Sequence, residues 1–454
     1  MSLFGLIGGK HLSRGVHPPE FKELTCRLPI RRLPFSPMLV IPLSQHAGAP
    51  AVSIVREGQE VVRGEPIAKA GGFVSVPMHA PATGRIEAIA LAPSARGELT
   101  QAIYLKPWPS ASQEILYGAP QDIDHMSPAE IVAAVQDTGV VGLGGAAFPT
   151  HVKLKVPEGK RVDTVVVNGC ECEPYLTTDH RVMVEQADEV VHGTRIVMKA
   201  VGAGRAIIGV EDNKPDAVEA LGKAVTSTPE ITVEAVATKY PQGAEKMLIQ
   251  VLLGREVPSG GLPSEIGVAV FNVATLAQIG ELLPRHQGLI ERVVTITGHG
   301  VSKPGNYLTA LGTPLRWALE QAGCTEKVAS VILGGPMMGP AISSLDVPVT
   351  KGVTGILVMT AEELNGRAAQ VYPCIRCGAC VDVCPLHLNP SRMGMLARKE
   401  RYEEMESEFH LNDCFECGCC SYVCPSHIPL VQYFRVSKQM NRERKARERV
   451  NSNA

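Results

Sequence analysis

Several features that mark common protein classes are scarce or missing in this sequence. Its 454 residues contain no run of 18 or more uncharged apolar residues, so no segment is predicted to cross a membrane as a helix. The formal net charge is only -2, whereas nucleic-acid-binding proteins carry a clear basic excess. Aromatic residues make up 4%, too few for the stacking platforms that bind single-stranded nucleic acid. Residues 1–10 lack the charged start and long apolar core of a secretory leader, so none is expected.

What the sequence does contain is a long apolar chain with unevenly placed cysteines. Hydrophobic residues make up 45% of it, and a chain of this length predicts three or four globular domains. Nine of the 13 cysteines lie between Cys374 and Cys424. Disulfide scaffolds are usually short and spread their cysteines, so this concentration predicts metal ligation in a reducing compartment.

Two runs in that segment share the spacing C-x2-C-x2-C-x3-C-P, which is typical of bacterial two-cluster ferredoxins. Three close thiolates wrap one cluster, and the fourth cysteine of each run ligates the other cluster. The predicted ligands of the first [4Fe–4S] cluster are Cys374, Cys377, Cys380 and Cys424. Those of the second are Cys384, Cys414, Cys417 and Cys420. Such a module passes single electrons and performs no substrate chemistry.

The alternative for these cysteines is a zinc site, which would leave the Cys-Pro pairs at Cys384 and Cys424 without a purpose. Cys419 is an additional thiol that we expect to be an ordinary buried residue. Between the two runs, apolar residues recur at near-helical spacing over Pro390–Phe409, which predicts a helical module.

A glycine-rich loop precedes these runs by more than 200 residues. Gly142, Gly144 and Gly145 follow a predicted helix at Ser127–Gln136, and glycines of this kind let backbone N–H groups approach a phosphate. A buried strand over Thr164–Val167 then leads into a polar segment, as at the ligand-binding edge of α/β sheets. Such a loop alone is a weak signal, and a plain turn is its alternative.

The residues around this loop carry a family resemblance. Residues 142–150 with Lys153, and the segment Asn168–Pro174, resemble the flavin-bearing NADH-oxidising subunit of respiratory complex I. With His17–Glu20, Gly334–Gly339 and the tandem cysteine motifs, residues 1–435 are similar to the C subunit of the Rnf ion-translocating oxidoreductase.

The resemblance implies non-covalent FMN and a site for NAD(H). Phe148 is expected to stack on nicotinamide, and Glu173 to contact NADH. The remaining expected contacts of flavin or nucleotide are Gly142, Gly144, Gly145, Lys153, Asn168, Glu171, Tyr240, Gly243, Glu245, Asn272 and Thr275. Leu143 and Cys170 depart from the complex I pattern, which has an arginine and an acid there.

The implied function is electron input to a membrane-bound Rnf-type complex. Electrons would pass between NAD(H), FMN and two [4Fe–4S] clusters, with coupling to ferredoxin through integral-membrane and ferredoxin-like partner subunits. The chain itself would lie peripherally on the cytoplasmic face of the bacterial inner membrane. The alternatives are a soluble cobalamin reductase-like flavo-iron–sulfur protein and a flavin-less electron-wire subunit.

The implied fold is multidomain α/β, and the resemblance sets its boundaries. A barrel-sandwich (biotinyl/lipoyl-like) domain is expected within 1–120, and a Rossmann-like FMN/NADH domain over 121–288. A β-grasp (SLBB-like) domain over 289–360 and a helical two-cluster ferredoxin-like domain over 361–435 follow, then a basic tail over 436–454. The barrel tip, Gly71–Phe73, has no lysine, so we expect a structural or docking role. The tail is either a solvated helix or a contact for anionic lipid or an acidic partner.

Overall fold

The computed structural model describes residues 12–324, 328–365 and 370–452. Part of the segment before the barrel strands pairs with later parts of the chain. Val16 forms an isolated antiparallel bridge with Tyr240, far along the chain. Strand β1 (Arg31–Arg32) pairs parallel with residues 307–308 of a distant sheet. This segment therefore fastens later parts of the chain together.

The N-terminal barrel consists of two small antiparallel sheets around one core. Ile41, Ile67, Ile86 and Ile103 are fully buried between them, because apolar residues alternate with polar ones along the strands. The strand orders are β2-β8-β7-β4 and β3-β5-β6. The strands are β2 (Leu39–Pro42), β3 (Val52–Ser53), β4 (Glu60–Val61), β5 (Pro66–Lys69), β6 (Met78–His79), β7 (Gly84–Pro93) and β8 (Leu99–Pro107).

The barrel tip at Gly71–Phe73 contacts the next domain, although the Phe73 side chain stays 50% exposed. The carbonyl oxygen of Phe73 accepts a hydrogen bond of 2.7 Å from His151 Nε2. The two rings meet edge-on at 5.5 Å, and the Lys155 ammonium lies 4.8 Å from the Phe73 ring centre. The tip is thus held against the domain that follows.

The second domain is built on a wholly parallel sheet with the order β11-β10-β9-β12. Its strands are β9 (Thr164–Gly169), β10 (Arg205–Glu211), β11 (Ile231–Val236) and β12 (Val268–Asn272). Its helices are α1 (Pro128–Thr138), α2 (Thr150–Leu154), α3 (Thr178–Glu185), α4 (Ala187–Val201), α5 (Pro215–Ala224), α6 (Glu245–Leu253) and α7 (Val273–Leu282). Helices cover both faces of the central strand β9, so its valines are fully buried.

Local sequence explains two features of this domain. The expected helix after Ser127 is confirmed as α1, and Ser127 and Glu130 form a capping box at its start. Helices α4 and α7 approach so closely that a Cβ at Gly193 would lie 1.9 Å from the Leu276 carbonyl oxygen. Glycine is therefore required where these helices meet.

A mixed five-stranded sheet follows, with the order β1-β14-β13-β16-β15. Its strands are β13 (Glu291–Thr297), β14 (Gly305–Ala310), β15 (Val328–Leu333) and β16 (Gly355–Thr360), and its helices are α8 (Leu315–Gln321) and α9 (Ala361–Asn365). Helix α8 buries Leu315, Ala318 and Leu319 in the core beneath the sheet. Strands β13 to β16 and helix α8 lie within 289–360, the range expected to form the β-grasp domain.

The C-terminal module is helical, as the apolar spacing predicts. It comprises α10 (Ala379–Asp382), α11 (Pro390–Ala397), α12 (Tyr402–Ser407), α13 (Cys419–Tyr422) and α14 (Leu430–Ser452). The helical segment expected from Pro390 is two helices, because Glu400 adopts a left-handed conformation with φ 56° between them. The repeated cysteine spacing produces a repeated backbone: Gly378 and Gly418 start α10 and α13 at φ 82° and 86°.

The basic tail belongs to this module rather than lying apart from it. Helix α14 begins at Leu430, so the predicted boundary at 435/436 falls inside one helix. Arg435 and Lys438 both pair with Glu416, and Lys438 lies 2.9 Å from it. Lys445 pairs with Glu406 at 2.5 Å. Several of the tail's basic side chains are thus neutralised within the protein. Across the described ranges no helix is long and apolar enough to cross a membrane.

Candidate functional site

The strands of the parallel sheet end in polar side chains at one edge. Asn168 ends the pairing of β9 with β12, Glu211 ends β10, and Asn272 ends β12. Carboxyl ends of parallel strands are where such sheets bind ligands. Asn272 caps α7 there, because its Oδ1 accepts from the amides of Ala274 and Thr275 at 3.0 and 3.2 Å.

The glycine-rich loop lies beside Asn272. The Gly142 amide donates to the Phe148 carbonyl oxygen at 2.8 Å, which closes the loop. The Leu143 amide donates to Thr275 Oγ1 at 2.9 Å, so the predicted site residue Thr275 anchors the loop. A Cβ built at Gly144 would lie only 3.3 Å from the Asn272 amide nitrogen.

The tip of this loop is open to solvent. Gly144 and Gly145 are both exposed, and Gly145 has φ +108°, which glycine adopts without strain. The loop thus presents bare backbone above the sheet edge, and the lack of a Cβ at Gly144 leaves room beside Asn272. Phe148 is half-buried at the end of the loop, where its carbonyl oxygen holds the Gly142 amide.

Lys153 and Glu245 meet at the rim of the same region. Lys153 Nζ lies 2.7 Å from Glu245 Oε2 and 3.3 Å from the Val270 carbonyl oxygen. Their side chains are 39% and 36% exposed, and ion pairs at this exposure contribute about 0–1 kcal/mol. Lys153 can therefore exchange this carboxylate for a ligand phosphate at little cost.

Asn168 and Gly243 hold two loops of the site together. Asn168 Nδ2 donates to the Gly243 carbonyl oxygen at 2.7 Å, and its Oδ1 accepts from the Cys170 amide at 3.0 Å. A Cβ at Gly243 would lie 2.3 Å from the Cys170 carbonyl oxygen. Glycine at 243 thus permits a close backbone approach, and the Asn168 side chain is already used by the protein.

Two predicted acids lie below the surface of the site. Glu171 is buried and accepts from the amides of Asp179 and His180 at 3.0 and 3.2 Å, which caps helix α3. Glu173 accepts from the amides of Met337 and Met338 at 3.1 and 2.9 Å. Burial raises the pKa of Glu173 to about 7. Both carboxylates therefore bind backbone amides of this chain.

Motif reasoning did not single out two buried charged residues that belong to this region. Asp179 Oδ2 accepts from Asn272 Nδ2 at 2.6 Å, and burial raises the pKa of Asp179 to about 7 with further help from Glu171. Arg292 donates to the Leu143 carbonyl oxygen at 3.2 Å, and burial lowers its pKa to about 10. Asp179 follows the predicted acids Glu171 and Glu173 closely in sequence, so the same motif could have indicated it. No motif surrounds Arg292, so the sequence offers no signal for its role.

Tyr240 connects this region to the cysteine-rich module. Its side chain is only 2% exposed, and its hydroxyl donates to the Cys417 carbonyl oxygen at 2.6 Å. Burial raises the pKa of Tyr240 well above its usual value. Cys417, Cys419 and Val16 pack around the Tyr240 ring. The expected flavin-side tyrosine therefore contacts a predicted cluster ligand directly.

The cysteines of the two runs lie near one another, and the crossed ligand sets remain a prediction. Cys374, Cys377, Cys380 and Cys424 line one cavity beside α11. In the second set, burial raises the pKa of Cys420 well above its usual value. The nearby thiols of Cys414, Cys417 and Cys384 raise it further, and so does that of Cys380 from the first predicted set. In each set the fourth thiol comes from the other run.

These donor sets fit the groups that the sequence predicts. Within the described residues, no three His, Cys, Asp or Glu side chains converge closely enough to hold a single metal ion. A [4Fe–4S] cluster does not require this, because each thiolate binds a different iron. The open backbone at Gly144 and the exchangeable Lys153 likewise fit a phosphate-bearing flavin.

Four family models match consecutive parts of the chain. The RnfC barrel sandwich hybrid domain matches residues 10–107, and the Nuo51 FMN-binding domain matches 135–281. The SLBB domain matches 293–341, and the 4Fe-4S dicluster domain matches 370–428. The chain is thus multidomain, with a flavin domain and a two-cluster domain, and this supports clusters over the zinc alternative.

Among solved structures, the chain is similar to an NAD+-reducing [NiFe]-hydrogenase in two states, at 19% identity. In the air-oxidized state the TM-score is 0.48, over 62% of this chain and 54% of that one. In the H2-reduced state it is 0.49, over 69% and 61%.

Curated relatives match almost the whole chain, and each is the C subunit of an ion-translocating complex. That of the proton-translocating ferredoxin:NAD(+) oxidoreductase complex of Clostridium ljungdahlii is 44% identical over 97% of this chain and 96% of its own. That of the Na(+)-translocating ferredoxin:NAD(+) oxidoreductase complex of Acetobacterium woodii is 43% identical over 87% and 88%. That of the ion-translocating oxidoreductase complex of Haemophilus influenzae is 41% identical over 93% of this chain and 64% of that relative. The chain therefore belongs to the RnfC family, the C subunits of Rnf-type ion-translocating ferredoxin:NAD(+) oxidoreductase complexes.

Proposed function

We propose that this chain is the electron-input subunit of a membrane-bound Rnf-type complex, an oxidoreductase that exchanges electrons between NAD(H) and ferredoxin through its partners. The observation that carries the proposal is the contact of Tyr240 with Cys417 at 2.6 Å. It joins a flavin domain to a two-cluster domain within one chain, so electrons have a short protein route between them.

When bound, FMN would supply hydride exchange with NADH and single-electron exchange with the two [4Fe–4S] clusters. The bare backbone of Gly142, Gly144 and Gly145 is the proposed cradle for this group. Lys153 would leave Glu245 and neutralise the phosphate. Three polar side chains fix the backbone around this cradle. Asn168 bonds the loop of Gly243, Thr275 bonds the glycine-rich loop, and Asn272 caps α7.

For the nucleotide we propose Phe148 as the stacking surface and Glu245 as the acceptor for a ribose hydroxyl. Phe148 is half-buried at the loop end, and Glu245 is 36% exposed at the start of α6. The carboxylates of Glu171 and Glu173 differ from it, because both are engaged by backbone amides of this chain. These two acids would act on the nucleotide only by shaping the loops around it.

The burial of the cysteines supports an order for the two proposed clusters. Cys384, Cys417 and Cys420 are buried, and Cys417 packs against Tyr240 of the flavin domain, whereas Cys374 and Cys377 are exposed. We therefore propose that electrons pass first between the flavin and the cluster of Cys384, Cys414, Cys417 and Cys420. The cluster of Cys374, Cys377, Cys380 and Cys424 is then the exchange point with a partner subunit.

The surroundings of that exposed cluster suit a protein contact. Ile375 is 68% exposed, and Val371 and Tyr372 are about half exposed next to it. Apolar side chains of this kind favour burial against another protein. The proposed partners are the integral-membrane and ferredoxin-like subunits of the complex, and the chain would bind peripherally at the cytoplasmic face of the membrane.

The test is anaerobic purification of the full chain, quantification of iron, sulfide and FMN, and titration with NADH. We expect one FMN, two clusters, and bleaching of both chromophores by NADH. Protein that retains its clusters but binds no FMN and is not reduced by NADH would refute the proposal in favour of a flavin-less wire.

A matched pair of variants tests the flavin site itself. Lys153→Met should lose FMN, because the phosphate loses its cation. Lys155→Met is the control, since Lys155 lies two residues away, just after the end of α2 and over the Phe73 ring. Equal FMN retention in both variants would contradict the role of Lys153.

A further inference from the structure

The motif Gly334–Gly339 has no role in the proposed electron route between the flavin and the clusters. It follows strand β15 and is held by the flavin domain. The Glu173 carboxylate accepts from the amides of Met337 and Met338 at 3.1 and 2.9 Å. A Cβ at Gly335 would lie 2.1 Å from Glu173 Oε2, so only glycine lets the carboxylate sit this close to the loop.

The opposite side of this loop touches the cysteine module. A Cβ at Gly418 would lie 2.9 Å from the Met337 carbonyl oxygen, so the two backbones are in close contact. The Met337 side chain packs against the apolar group of Cys417, Cys419 and Tyr240. The loop is therefore pressed between the flavin domain and the second cysteine run.

A second bond fastens the same loop from the module's side. Arg435 Nη2 donates to the Met338 carbonyl oxygen at 3.1 Å, and Arg435 also pairs with Glu416 at 3.0 Å. Glu416 is adjacent to Cys417 in sequence. The loop thus has one carboxylate anchor on the flavin domain and one guanidinium anchor on the cysteine module.

We propose that the loop Gly334–Gly339 is a clamp that keeps Met337 over the Cys417 segment, shielding the flavin-side cluster from water and fixing its place against the flavin domain. Glu173 is then a positioning residue, since it acts through Met337. The inference rests on the proposed function, because it assumes that the second cysteine set holds a cluster.

The apolar cover that Met337 provides should affect the midpoint potential of the flavin-side cluster. Reduction adds one negative charge to a cluster, and water stabilises that charge better than an apolar side chain does. Met337 therefore makes the flavin-side cluster harder to reduce. Loss of the thioether side chain, or its replacement by a polar one, should raise the midpoint potential of that cluster alone.

The experiment is a redox titration of cluster-loaded full-length protein with dithionite and mediators, followed by EPR, without NADH. Met337→Gln should shift the midpoint potential of the Cys384/Cys414/Cys417/Cys420 cluster upward and leave the other cluster unchanged. Met337→Leu should stay near the wild type, because it restores an apolar cover of similar volume. Met338→Gln is the matched control, since that side chain is 40% exposed.

Glu173→Leu tests the anchor, because it leaves the two methionine amides without their acceptor. It should shift the same cluster in the same direction as Met337→Gln. Unchanged potentials in Met337→Gln, or equal shifts of both clusters, would overturn the shield, and an unchanged potential in Glu173→Leu would overturn the anchor. Wild-type protein that binds no clusters would instead refute the proposed function, so the two failures are distinguishable.

Discussion

Tyr240→Phe is the change that most directly probes the junction between the flavin domain and the cluster domain. It removes one hydroxyl and keeps the ring that packs on Val16 and Cys417. The Cys417 carbonyl oxygen then loses its donor at 2.6 Å in a buried position. An unsatisfied buried acceptor costs about 1–3 kcal/mol, so the free energy of opening this junction should fall by that amount.

Hydrogen exchange can read this local opening, which a global melting curve of a multidomain chain cannot isolate. Since about 1.4 kcal/mol corresponds to a factor of ten, amides in residues 414–424 should exchange about 5- to 150-fold faster in cluster-loaded Tyr240→Phe. Amides of the barrel strands should keep their wild-type rates.

Tyr104→Phe is the matched control for the loss of a tyrosine hydroxyl. Tyr104 donates to the Leu91 carbonyl oxygen at 3.0 Å, but that oxygen lies at the surface, where water can replace the donor. We expect a change below about 0.5 kcal/mol. Exchange in residues 414–424 that is unchanged in Tyr240→Phe, or that is equally fast in both variants, would refute the reasoning.

Three further predictions concern ligation, packing and pH. Cys424→Ser should abolish the EPR signal of the first-run cluster and Cys384→Ser that of the second; loss of each run's own cluster instead would contradict the crossed ligand sets. Gly193→Ala should lower the unfolding temperature, because its Cβ would lie 1.9 Å from the Leu276 carbonyl oxygen and would push α4 away from α7. We expect this overpacking to cost about 1–3 kcal/mol of stability. Gly222 is an exposed position of helix α5 with nothing within 4 Å of a Cβ built there, so Gly222→Ala should instead stabilise the protein by up to about 1 kcal/mol. Burial lowers the pKa of His79 from 6.5 to about 3, so the unfolded chain binds the proton first on acidification. His79 alone should lower the stability by about 1.4 kcal/mol between pH 7.5 and 5.5, and urea titrations of His79→Gln should lack this part of the slope.

Local patterns predicted the elements whose causes are local. The cap at Ser127 and the following proline predict α1, and the capping box is present in the structure. Valines at 165–167 predict a strand with both faces covered, which is what β9 is. The break between α11 and α12 was not predicted, because apolar spacing continues through it while Glu400 leaves the helical region.

The sequence indicated individual residues of the site but not the hydrogen bonds that join them to distant parts of the chain. Motifs indicated Glu173 as a nucleotide contact, yet its carboxylate holds the amides of Met337 and Met338. Arg292 was missed because its partners, Leu143 and Lys351, lie far from it in sequence. A buried guanidinium that binds carbonyl oxygens leaves no motif around itself.

The sequence by itself indicated the two [4Fe–4S] clusters, because the cysteines of one cluster loop are close neighbours in the chain. Their spacing in sequence therefore limits how their thiolates can be arranged in space. The sequence also determined the open backbone of the glycine-rich loop, since the absence of a Cβ is a property of the residue. Only the tertiary structure decided which loops meet. Tyr240 and Cys417 are 177 residues apart, and their bond depends on how separately folded sheets and helices pack. That packing decides which cysteines lie against the flavin domain, and no local pattern encodes it.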